Sequence, residues 1–83
     1  MSRQIILQQI TEIFREVLEN ESIELNENTV AKDIPEWDSL NHIQLVVAVE
    51  KKFSIRFTSL EIQSWTNIGG MLDSLLSKTQ TSS

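Results

Sequence analysis

The stretch DSLNHIQLVVAVEKKF, residues 38–53, decides the fold. Its three β-branched valines, Val46, Val47 and Val49, suit a buried strand, but the apolar pattern from Leu40 to Phe53 is longer than the typical strand of about five or six residues. The spacing of Leu40, Ile43, Val46, Val47, Val49 and Phe53 therefore predicts a helix, with Asp38 as its N-cap and Pro35 opposing an earlier start. Placed on a wheel at about 100° per residue, this helix has two apolar faces. Leu45, Val46, Val49 and Phe53 form a core stripe, and Leu40, Ile43 and Val47 form a second cluster beside the polar arc of Asn41, Gln44, Lys51 and Lys52. A small bundle cannot readily bury both faces of one helix, so the second cluster marks a surface for a partner or ligand.

Upstream, Ile6, Ile10, Ile13, Phe14, Val17 and Leu18 recur at spacings of three and four, which predicts an amphipathic helix over residues 3–19. From Asn20 to Trp37 neither period persists, and Asn20, Asn26, Asn28 and Pro35 are turn residues. A loop of this length is expected to be ordered, pinned across the core by Ile23, Leu25, Val30 and Ile34, with a short helical turn. Downstream, Thr58-Ser59-Leu60-Glu61 fits a capping box, opening a short helix that ends near Trp65. A last helix follows, capped by Thr66 or Asn67, with Ile68, Met71, Leu72, Leu75 and Leu76 on one face and a first turn weakened by Gly69 and Gly70. The fold class is all-α: a small antiparallel bundle of three main helices and one short one, with a long loop after the first. One domain is expected over residues 1–76, with a disordered tail at 77–83 rich in Ser and Thr.

Eighty-three residues leave little room for an enclosed catalytic cleft. The absence of cysteine and the single histidine rule out thiolate and His-rich metal sites. The longest apolar run, Leu45 to Val49, cannot span a bilayer, and the N-terminus does not read as a secretory signal, so a cytoplasmic monomer away from membranes is expected. The net charge of −5 repels nucleic acid. That charge is uneven: residues 1–38 carry nine acidic and three basic side chains, whereas residues 39–83 balance at +1.

Ser39 follows the cap, between the two apolar faces, where its hydroxyl should be accessible. A nucleophilic serine needs a positioned base and an oxyanion hole, and the only histidine, His42, has no evident orienting carboxylate. Hydrolysis is therefore not expected. A serine at a helix N-terminus does suit an attached phosphate, because unpaired N–H groups and the helix dipole stabilise an anion there. The residues alone do not choose the modifying group.

Asp38-Ser39-Leu40 at the start of a second helix, followed by Glu50-Lys51-Lys52-Phe53 and then Ile55-Arg56-Phe57 before a short helix, resembles the acyl carrier proteins over nearly the whole chain. The resemblance implies a non-catalytic carrier whose Ser39, flanked by Asp38 and Leu40, receives 4'-phosphopantetheine from coenzyme A through a separate, Mg²⁺-dependent phosphopantetheinyl transferase. It implies acyl-loading and acyl-accepting enzymes as partners, met by Trp37, Leu40, Ile43 and Val47. It also implies an acyl pocket lined by His42, Leu45, Val46, Val49 and Phe53. Carriers of primary fatty acid synthesis usually have a strongly acidic second helix, whereas this one holds Asn41, Gln44, Lys51 and Lys52 and retains Glu50 alone. Electrostatic complementarity sets specificity and encounter rate, so a specialised pathway such as polyketide or nonribosomal peptide synthesis is expected. The alternatives are a carrier of primary fatty acid synthesis and a helical adaptor with no prosthetic group. Trp37 has two readings as well, as an anchor for partners or as packing of the loop onto the bundle.

Overall fold

The computed structural model describes residues 3–65 and 67–80. Its elements are α1 (Arg3–Val17), a 3₁₀ turn (Ala31–Asp33), α2 (Ser39–Phe53), α3 (Ser59–Ser64) and α4 (Ile68–Gln80), and there is no strand among the described residues. Helix α1 packs against α2 and α4, and α3 packs against α4. The core is built where their apolar stripes meet: Ile6, Ile10 and Phe14 from α1, Leu45 and Val49 from α2, and Ile68, Met71, Leu72 and Leu75 from α4 are all essentially inaccessible to solvent. Burial of these stripes, more than helix propensity, stabilises helices this short.

α1 ends two residues before the expected boundary. Glu19 takes a left-handed φ of 53°, and Asn20 N–H donates back to Arg15 O at 3.0 Å, which turns the chain out of the helix. The long first loop is held from both sides. Ile23 and Ile34 are buried in the core, and Arg15 Nε donates to Ile23 O at 2.7 Å. Asn20 Nδ2 donates to Glu36 Oε2 at 3.0 Å, tying one end of the loop to the other.

The same loop secures α4. Ile68 N–H donates to Thr29 O and Gly69 N–H to Glu27 O, each at 2.9 Å, so loop carbonyls satisfy amides that the helix start leaves open. Asn67 Oδ1 accepts from Gly70 N–H at 3.0 Å and so acts as a cap, while Thr66, the other candidate, lies outside the described residues. The expected weakness at Gly69 has a structural use. A Cβ there would sit 3.1 Å from Glu27 O, so glycine lets the loop backbone approach the helix. Arg3 adds an ion pair to Glu27 at 2.8 Å and another to Asp73 at 2.6 Å, joining α1, loop and α4.

One expectation needs correction. The tail expected at 77–83 is helical as far as Gln80. Lys78 Nζ pairs with Glu61 Oε1 at 2.9 Å and lies 5.8 Å above the Phe57 ring, which gives the last turn tertiary support that a Ser/Thr-rich composition does not reveal. Residues 81–83 lie outside the described residues.

Candidate functional site

Asp38 adopts extended backbone and its Oδ1 accepts from Asn41 N–H at 2.8 Å, while His42 N–H donates to Asp38 O at 2.8 Å. This cap sets the first turn of α2 and places Ser39 at its first position, exposed to solvent. The N–H groups of Ser39 and Leu40 are left without an intrahelical acceptor, as at any helix start. A hydroxyl on the surface beside two open amides and the positive end of a 15-residue helix suits a bound phosphate ester.

Next to Ser39 opens a recess of about 490 Å³ whose wall includes Trp37, Asp38, His42, Ile62, Trp65 and Met71. Three separate segments supply it: the end of the first loop, the start of α2, and the α3–α4 corner. The indole Nε1–H of Trp37 donates to His42 Nδ1 at 3.0 Å, and the two rings lie 26° from parallel with centroids 6.0 Å apart. Trp65 Nε1–H donates to Ser74 Oγ at 2.8 Å. Trp37 meets Phe14 edge-on at 5.0 Å and Trp65 meets Phe57 edge-on at 4.8 Å, so both indoles are braced from behind. Burial pushes the His42 imidazole below its ordinary value of 6.5, keeping it neutral near pH 7. Since Nδ1 accepts from Trp37, the neutral ring carries its proton on Nε2.

The residues expected to meet partners divide. Leu40, Ile43 and Val47 are 67%, 62% and 43% exposed, an apolar strip on the surface of α2. Trp37 instead is half-buried, with its ring against Phe14 and His42. Val47 and Ile43 continue across a groove to Ile13, Val17 and Ala48, with Lys51 and Lys52 at its edge. Among the expected pocket residues, His42 lines the recess, Leu45, Val46 and Val49 are buried in the core, and Phe53 is half-buried against that core. Sequence reading missed Ile62, Trp65 and Met71 as recess residues. Both of the chain's tryptophans line this one recess, but they stand 28 positions apart and nothing in the helical periodicity pairs them.

The family model described as "Phosphopantetheine attachment site" matches residues 8–75. A solution NMR structure of a holo acyl carrier protein from Geobacter metallireducens superposes with a TM-score of 0.82 at 36% identity, covering 94% of this chain and 93% of that one. No curated protein matches the chain. The match over most of the sequence and the shared four-helix architecture place the chain in a class of carriers, not catalysts, whose prosthetic group is 4'-phosphopantetheine. The chain belongs to the acyl carrier protein family.

Proposed function

We propose that the protein carries acyl groups on a phosphopantetheine arm attached to Ser39, in a specialised acyl pathway. The observation that carries this reading is the exposed Ser39 at the capped start of α2, beside the recess and next to the apolar strip. On a phosphopantetheinyl transferase, Ser39 Oγ attacks the β-phosphorus of coenzyme A, forming the Oγ–P bond as the pyrophosphate P–O bond breaks; 3',5'-ADP leaves with the bridging oxygen and a base of the transferase takes the hydroxyl proton. Ser39 Oγ receives the ester, Asp38 shapes the turn by capping α2, and the open N–H groups of Ser39 and Leu40 face anionic charge favourably. The attached group supplies a terminal thiol that holds acyl groups as thioesters.

Leu40, Ile43 and Val47 serve as the apolar docking strip for the transferase and the acyl-handling enzymes. The first-turn Asn41 and the Gln44, Lys51 and Lys52 beside the strip give it a neutral to basic surround, and this supports a specialised pathway over primary fatty acid synthesis. A cytoplasmic monomer remains the expected working form.

Intact mass before and after incubation with coenzyme A, Mg²⁺ and a broad-specificity transferase tests the attachment. One phosphopantetheine increment, absent in Ser39→Ala, is expected. No increment on a folded, unmodified chain would leave the helical adaptor reading in its place. Loading of the holo form by a fatty acid synthase malonyl transferase tests the pathway: poor loading is expected, and efficient loading would favour primary fatty acid synthesis.

A further inference from the structure

The recess beside Ser39 differs in chemistry from the core that the sequence analysis named as the acyl pocket. Leu45 and Val49 are fully buried in the core cluster, so a chain entering there must displace side chains from a close-packed interior. The recess is already open, and at about 490 Å³ it lies within the roughly 300–1,000 Å³ range of small-molecule sites. Both indole N–H groups on its wall are bonded inside the protein, to His42 and Ser74, so the indoles offer carbon surface rather than polar handles. His42 has spent Nδ1 on Trp37, and its Nε2–H has no partner among the described residues. Asp38, Ser39 and Asn67 give the recess a polar rim, and behind it Trp37, His42 and Trp65 form a ring-walled side with the His42 N–H as its donor, which suits a flat group that bears an acceptor oxygen.

We propose that this recess seats a planar aromatic acyl group carried on the arm, packed against Trp37 and Trp65 with its carbonyl oxygen accepting from His42 Nε2–H. Ring pairs favour offset or edge-on contact beyond what buried area alone supplies, whereas a saturated group of equal size gains only the area. Trp37, His42 and Trp65 are then the residues that set cargo preference. The inference rests on attachment at Ser39, and its test separates the two.

Benzoyl and cyclohexanecarbonyl arms, matched in skeleton and differing in flatness, are loaded from their coenzyme A thioesters by a broad-specificity transferase and verified by intact mass. An unchanged mass overturns the attachment reading itself. With loading confirmed, the benzoyl form should shift the indole N–H resonances of both Trp37 and Trp65, and its thioester, with each rate divided by that of the same acyl group on free coenzyme A, should be protected from hydroxylamine on the order of fivefold more than the cyclohexanecarbonyl form. His42→Phe, which keeps a ring and removes the donor, and Trp65→Leu, which removes a wall, should each reduce that protection. Far-UV circular dichroism checks both folds, and if one variant unfolds the other decides. Equal indole shifts for the two cargoes, or protection unchanged in a folded variant, would overturn the proposal.

Discussion

The two apolar faces of α2 lie on one 15-residue helix and have opposite fates. Leu45 and Val49 are fully buried in the core cluster they share with residues of α1 and α4, while Leu40 and Ile43, of the same chemical kind, are more than 60% exposed. The difference teaches that side-chain hydrophobicity does not decide burial in a bundle this small. What decides it is how many neighbours the other helices can supply, and here they cover only one side of α2. The uncovered side is the strip proposed above to dock partner enzymes.

The sharpest way to break this contrast is to truncate each face. Leu45→Ala should destabilise the fold by roughly 2–5 kcal/mol, because it leaves a cavity in the packed core, and denaturant unfolding reads this directly. Acidification gives a smaller effect at the border between the faces. His42 binds a proton less readily in the folded protein than in the unfolded chain, since burial disfavours its charge. Its contribution is therefore complete above pH 6.5, the ordinary value, and is lost as the pH falls below that towards the depressed folded-state value. Protonating Nδ1 also removes the acceptor for the Trp37 indole. Stability measured from about pH 7.5 to about pH 5.5, roughly one unit either side of a histidine's ordinary value, should fall in the native protein and flatten at this step in His42→Gln.

Ser54→Gly is expected to stabilise by about 0.4–1 kcal/mol, because Ser54 caps α2 at a left-handed φ of 55°, where a side chain is strained. A thermal melt with a raised midpoint would show it, and an unchanged or lowered midpoint would mean that no strain is stored there. Least of all, Ile43→Ala should move stability by less than about 0.5 kcal/mol while slowing modification by the transferase. A loss of stability near that of Leu45→Ala would erase the distinction between the faces.

Much of this was legible because local chemistry and periodicity agree. Asp38 capping α2, the Thr58–Glu61 capping box opening α3, and the split of Leu45, Val46 and Val49 from Leu40, Ile43 and Val47 follow from spacing and from the hydrogen bonds these residue types make. The docking of the first loop on α4 was not legible. It depends on backbone carbonyls of Glu27 and Thr29, which carry no sequence signal, and on a glycine whose helix penalty argued for fraying. The last turn of α4 was hidden for a related reason, since its support is an ion pair to Glu61 seventeen residues earlier.

The sequence by itself determined the four helices, the accessible Ser39 and the membership in a carrier family, because these depend on contacts within a turn or two and on a contiguous motif. The tertiary structure alone decided the recess. Trp37, His42 and Trp65 come from a loop, a helix start and an interhelical corner, and only the packing of those three segments brings two indoles and one imidazole N–H to the foot of the same serine.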